Sequence, residues 1–416
     1  MWFLFFVAFF IVVITFLLNK KIYNPVFLFS LTWTLVLFLA TINLYDIKYS
    51  DNVFIVILIM LISFPLGSIA YSTLKNNKNI LTCLEKTSQR VYEPKKIIFL
   101  SLCVFSSLIL LIDELEIIRL ILRGANYIDI IVQSGGAQTV EISGLKGLIY
   151  IFIVYPIVYA SSPICAIEVV SGSKDKLIYL LINIILVILN SAHHGGRIGI
   201  LFFVIAYIFS FLIYNKKFYL SKITKRIIIL FSIIGFALIM WLSKSRGIEN
   251  IWESFYMYFV CNIPVFDGFA NNPAFSSHTW GFLSLNGFLY PVMALVRVFG
   301  LSVPATYMYT QTIRQFLESN WVYISSYGHG VNAFLPAGGY WYIDGGYLLE
   351  FFAIFITGMM CKKSYIDLCM KFDKRKCAIY LLVVTGILLS FIRYYLTSYQ
   401  FVLALFYLLF LYKKKK

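Results

Sequence analysis

The chain has 416 residues, of which 61% are hydrophobic, 18% aromatic and only 13% charged, and its mean hydropathy is +0.84. A chain this apolar lacks the polar surface to cover globular domains in water, so a soluble fold is excluded and the solvent is lipid. The formal charge of +16 would fit a nucleic-acid partner only if the cations shared one exposed face, and a bilayer gives them another meaning.

Runs of roughly 15 to 22 apolar residues, the length a helix needs to cross a hydrocarbon layer about 30 Å thick, recur along the chain. They lie near residues 2–18, 25–44, 53–71, 97–112, 147–167, 177–192, 198–214, 227–243, 346–361, 378–392 and 400–412. The first run lacks the basic start and small-residue cleavage site of a secretory leader, and Lys20 and Lys21 follow it, so it is expected to stay as a span. The predicted fold class is an all-α polytopic integral membrane protein, one transmembrane domain over residues 1–416. It has about 11 transmembrane helices and a large extracytoplasmic loop containing short helices.

Lysine and arginine fall in alternate connections, from Lys20 and Lys21 through Lys95 and Lys96, Lys174 and Lys176, Lys225 and Arg226, and Lys374 to Lys376, to the closing Lys413–Lys416. Those connections hold 25 of the 35 basic residues and 6 of the 19 acids. The positive-inside rule makes them cytoplasmic, with the N-terminus outside and the C-terminus inside. The charge is therefore a topology signal, and no nucleic acid is expected.

Two outer segments are long. In 113–146, residues 113–133 alternate charge with Ile and Leu, as an interfacial helix would. Residues 244–345 form a larger loop rich in aromatics, Gly and Pro, expected to cap the active site, and within it residues 287–300 read as a re-entrant or interfacial helix too short to span. Of seven cysteines only Cys261 falls outside, so no internal disulfide is expected there. No Cys or His spacing fits a metal, haem or iron-sulfur site, and no phosphate loop or dinucleotide fingerprint is present. No cofactor is predicted.

Chemistry is expected at three places. The turn Asn190-Ser191-Ala192-His193-His194-Gly195-Gly196-Arg197 joins two spans. Gly195 and Gly196 let backbone amides approach a ligand, and Arg197 opens the next helix, where the dipole favours an anion. The competing reading is a tight hairpin whose arginine reaches to headgroups, with His193 and His194 as polar turn residues. Lys244 and Arg246 leave span eight on the side where cations are disfavoured, and Arg246 has the fork to hold a diphosphate, unless both only complement a helix C-terminus. The third place runs from Tyr327 to Gly346, where His329 and Asp344 sit among glycines and aromatics as candidate proton acceptors for a sugar hydroxyl. Arg297 interrupts an apolar stretch and calls for a partner or an anionic ligand. Arg314 is expected to pair with Glu318, and Glu350 to partner an arginine or sit at the interface.

The Gly195-Gly196-Arg197 turn, the large late loop and the segment from Asn332-Ala333-Phe334-Leu335-Pro336 to Tyr342-Ile343-Asp344-Gly345-Gly346 resemble bacterial O-antigen and oligosaccharide repeat-unit polymerases of the Wzy type. The resemblance implies a metal-independent glycosyltransferase of the bacterial cytoplasmic membrane. It would join a growing glycan on undecaprenyl pyrophosphate to a lipid-linked repeat unit at the outer face, building O-antigen or capsular polysaccharide. It implies Arg197 and Arg246 as pyrophosphate ligands, with membrane lipid and a chain-length regulator protein as partners. His329 resembles the outer-loop histidine of O-antigen ligases, although Gly328 and Gly330 flank it here. A ligase, a lipid-oligosaccharide flippase and a membrane acyltransferase are the alternative classes.

Overall fold

The computed structural model describes residues 1–44, 49–74, 92–123, 144–194, 198–214, 251–272, 277–319, 322–323, 330–331, 335–370 and 372–414. In chain order the elements are α1 (Trp2–Asn19), α2 (Pro25–Ile42), α3 (Asp51–Leu74), β1 (Tyr92–Pro94), α4 (Lys96–Leu122) and α5 (Gly144–Ile149). A π-turn (Tyr150–Val154) leads into α6 (Tyr155–Val170), then α7 (Lys176–His194), α8 (Ile198–Tyr214), α9 (Ile251–Val260), α10 (Asn262–Ala270), α11 (Asn286–Val298) and α12 (Ala305–Ser319). Short strands β2 (Val322–Tyr323) and β3 (Gly330–Val331) precede α13 (Ala337–Met370), α14 (Lys374–Leu388), a 3₁₀ turn (Tyr395–Thr397), α15 (Tyr399–Phe410) and β4 (Tyr412–Lys414).

The described chain is all-α apart from these strand pairs. Six of its helical stretches are long and apolar enough to cross a membrane: Pro25–Ile42, Asp51–Leu74, Lys96–Arg119, Gly144–Val170, Lys176–His193 and Ala337–Met370. Trp2–Leu18, Ile198–Tyr214 and Tyr399–Phe410 are shorter apolar helices. The expected span at 227–243 lies outside the described residues. Residues 113–122, expected to open a surface segment, instead continue α4.

Local signals explain where the helices stop and start. The Asn24 side chain accepts from the Val26 N–H at 2.9 Å and Pro25 fills the first position of α2, which ends on Asn43 in the left-handed region. On α1, Leu4, Ala8 and Thr15 are buried while Phe3, Phe6, Phe10 and Leu17 are exposed. Two stripes at helical spacing thus give the helix a packed side and an apolar outer side suited to lipid.

The chain divides into two compact units. Unit one comprises Met1–Gln89, Trp252–Phe372 and Val383–Val402. Its centre is the packing of α3 on α13, set by glycine. A Cβ on Gly67 would lie 1.9 Å from the Phe355 carbonyl oxygen, and one on Gly358 would lie 2.2 Å from that of Phe64. Each helix therefore presses its backbone onto the other at a glycine, the small-residue contact that lipid-embedded helices use in place of a hydrophobic drive. Gly358→Ala is expected to lower stability by about 2–3 kcal/mol because the clashing atoms are main chain. Thermal unfolding in detergent measures it, and an unchanged midpoint would contradict the crossing.

α13 is a hairpin. Gly346, at φ 71° and ψ −168°, breaks it together with Gly345, a conformation glycine adopts without a Cβ penalty. Residues 12 apart in a straight helix are separated by about 18 Å, yet a Cβ on Gly338 would lie 2.4 Å from Glu350 Oε1. The short arm, 337–344, is therefore folded back toward the long arm, 347–370. The Leu335 and Ala337 N–H groups donate to the carbonyls of Ile392 (3.1 Å) and Ser390 (2.9 Å), which pins the entry to the hairpin.

Unit two comprises Arg90–Ile251, Asp373–Leu382 and Leu403–Lys416. Here α6 packs on α7 and α8, and α4 on α7. Ser162 on α6 donates to Asn183 Oδ1 on α7 at 3.3 Å. The π-turn is closed by the Tyr155 N–H bonding the Tyr150 carbonyl, and the Phe152 carbonyl accepts from the Tyr407 hydroxyl at 2.8 Å. Lys374 Nζ meets Glu168 Oε1 at 2.7 Å, with the Glu168 residue only 4% exposed. β1 and β4 pair antiparallel with Glu93 opposite Lys413, and Arg375 stacks over the Tyr92 ring at 4.0 Å.

Candidate functional site

The sequence places two acids, Asp113 and Glu114, directly after the apolar run of α4, and His193 directly after that of α7. Folding brings these ends together in unit two with the start of the π-turn. His193 Nδ1 lies 3.6 Å from Glu114 Oε1, and both side chains are largely buried. The imidazole is nearly parallel to the Tyr150 ring, at 5.7 Å between centroids and 6° between planes. Tyr150 donates its hydroxyl to Asp113 Oδ2, and Lys146 Nζ lies 2.9 Å from Asp113 Oδ1.

This arrangement has a division of labour. Lys146, Asp113 and Tyr150 form a chain of charge-assisted contacts that fixes the ring under His193. A carboxylate facing Nδ1 favours the tautomer that carries its proton on that nitrogen, which puts the ring's lone pair on Nε2. The pair is longer than a hydrogen bond, and such pairs commonly tighten only when substrate is present. π-turns recur at functional sites, since one extra residue per turn re-aims the side chains around it.

His193 is two residues from the Gly195-Gly196-Arg197 turn. Gly195, Gly196 and Arg197 lie outside the described residues, as do Lys244, Arg246 and His329. The Asp113, Glu114, Lys146 and Tyr150 companions of His193 are not visible as a set in the sequence, because long apolar stretches separate them. The one signal pointing to them is that acids and a histidine sit where apolar runs end.

Of the residues expected to act, Asp344 and Arg297 are described, both in unit one. Asp344 is 0% exposed. Its Oδ1 accepts from the Thr279 hydroxyl and, at 3.1 Å, from the Leu283 N–H, and its Oδ2 accepts from the Ser284 N–H at 2.8 Å. Its main-chain carbonyl accepts from the Trp280 N–H at 2.9 Å. Asp344, expected from the sequence as a proton acceptor, thus ties the 279–284 turn to the short arm of α13.

Arg297 is exposed near the end of α11, about 16 Å along the helix from Asn286. Among the described residues its Nη2 meets the Met308 sulfur at 3.5 Å and no carboxylate. Tyr307 on α12 is buried, which pushes its phenol up to about 12 against the opposing pull of Arg314 and Arg297. Gln311 Nε2 donates to Asn286 Oδ1 at 2.8 Å, tying α12 to the start of α11, and Arg314 donates to Gln311 Oε1 at 3.4 Å. Leu285, Phe288, Val292, Leu295 and Phe299 are exposed at steps of three and four. They form an apolar stripe with a guanidinium near its end, the pattern of a helix lying in a headgroup layer.

Among the described residues no group of three or more His, Cys, Asp or Glu side chains could hold a metal ion. Compared with protein-family models, curated proteins and solved structures, the chain matches none.

Proposed function

We propose that the chain polymerises lipid-linked oligosaccharide repeat units at the outer face of a bacterial cytoplasmic membrane, as a metal-independent glycosyltransferase with a polyprenyl-pyrophosphate donor. On this reading the eleven apolar runs are crossings and the lysine distribution sets the N-terminus outside, an orientation in which the ends of α4 and α7 face outward. The observation that carries the reading is the His193–Glu114 pair, which stands in sequence just before Gly195-Gly196-Arg197 and so supports a proton acceptor close along the chain to a cation fit for a diphosphate.

In this scheme the donor brings its own leaving group. His193 takes the proton of the acceptor hydroxyl as the new glycosidic bond forms, and the bond from the donor sugar to pyrophosphate breaks. Arg197 and Arg246, with Lys244, stabilise the charge on the departing diphosphate. Gly195 and Gly196 give it main-chain donors. Arg297 is proposed separately to hold a lipid phosphate where α11 ends, and His329 is the alternative proton acceptor to His193.

Deleting the gene and separating surface glycan by gel electrophoresis tests the proposal. The expected result is core carrying a single repeat unit with no ladder above it. Core with no repeat unit would favour a flippase, unattached long polymer a ligase, and an unchanged ladder would overturn the reading.

A further inference from the structure

Glu350 stands apart from the chemistry proposed above. It lies four residues into the long arm of α13, within a stretch long and apolar enough to span a membrane. It is 0% exposed, and among the described residues neither carboxyl oxygen has a hydrogen-bond partner. No described arginine meets it. Across the hairpin it faces Gly338, which has no side chain to offer: a Cβ there would lie 2.4 Å from Glu350 Oε1 and 3.4 Å from the Met60 Cβ of α3.

Among the described residues no counter-ion meets this carboxyl, Arg393 included, although it follows the 390–392 carbonyls that hold the entry to the hairpin. α2 carries no ionisable side chain, and α3 has only Asp51 at its first residue and Tyr71 in its last turn. Asp267 of α10 is occupied with the Ser50 N–H at 2.9 Å and Asn271 at 3.0 Å. On the short arm Asp344 is spent on the 279–284 turn. On the long arm Tyr347 gives its hydroxyl to Asn52 Oδ1 at 2.8 Å, and Lys362 and Lys363 are about 18 Å further along the helix. An ionised carboxylate without donors or a counter-ion is too costly to bury in such a place, so the group is carried neutral.

We propose that Glu350 is an intramembrane proton-binding site, loaded when the two arms of α13 are closed on each other and discharged when they part. The ligand is a proton, bound to one carboxyl oxygen with no other bond made or broken. Two features of the hairpin suit the task. Gly338 leaves room for the carboxyl where any side chain would intrude, and Gly345-Gly346 supplies a pivot whose backbone can move without opposing a Cβ. The proposal does not depend on glycan chemistry.

Infrared spectroscopy of the whole protein in bilayers tests it. The difference spectrum between wild type and Glu350→Gln at about pH 8, where exposed carboxyls are ionised, is expected to show the loss of one protonated-carboxyl C=O band and no carboxylate band. Loss of a carboxylate pair instead overturns the proposal. Gly338→Ala pushes only the flexible end of Glu350 and should fold, and it is expected to shift the same band. A band that stays put under Gly338→Ala would overturn the placement of the proton in the hairpin. Because neither reading is an activity, a protein that fails to polymerise glycan can still pass this test, and the reverse.

Discussion

His193→Ala is expected to abolish long-chain polysaccharide while leaving the protein in the membrane at normal abundance. A positioned proton acceptor contributes typically about 10²- to 10⁴-fold to rate, enough to empty the upper part of a glycan ladder. The neighbours grade the effect. Glu114→Gln keeps the shape but removes the charge facing Nδ1, so a smaller loss is expected, and Tyr150→Phe should loosen the ring without removing it. Quantified ladders alongside immunoblots of membrane fractions supply the check. Normal chain length in His193→Ala would sink the assignment of the proton acceptor, whereas normal chain length in Arg197→Ala would sink only that of the diphosphate ligand.

The largest stability effect is expected at Glu168 and Lys374. Their 2.7 Å contact is buried on the Glu168 side and partly open at Lys374, and removing one partner strands the other charge, at a cost toward the lower end of the about 3–5 kcal/mol typical of a fully buried pair. Lys374→Met should therefore lower the unfolding midpoint in detergent sharply, with Glu168→Gln close behind. Glu168→Leu combined with Lys374→Met should recover most of the loss, because paired apolar replacements of buried ions are often neutral. A double variant no better than either single would show that the pair matters for something other than its mutual charge.

The helices were legible where the solvent dictates them. Apolar runs at 25–44, 53–71 and 177–192 became α2, α3 and α7 with ends displaced by a few residues, because in lipid a helix satisfies every main-chain donor and acceptor within itself. The reversal inside α13 was not legible. Gly345-Gly346 was visible as permissive backbone, but whether such a pair bends the chain depends on the 390–392 carbonyls that hold Leu335 and Ala337, more than fifty positions away. The same distance hid the partners of His193, drawn from three elements with no shared spacing. The partners of Asp344 were hidden for a related reason, since a lone acid among glycines looks the same in sequence whether its oxygens are open or filled by a neighbouring turn.

The π-turn at Tyr150–Val154 puts the two halves of one hydrophobic segment out of phase by about 100°, one residue's worth of rotation. Tyr150 can therefore address the acid and histidine at one end while Ser162 and Glu168 point correctly at their own partners below. A lineage that shed a single amino acid from this turn would keep a continuous apolar rod of nearly the same composition, with one end rotated out of alignment with the other.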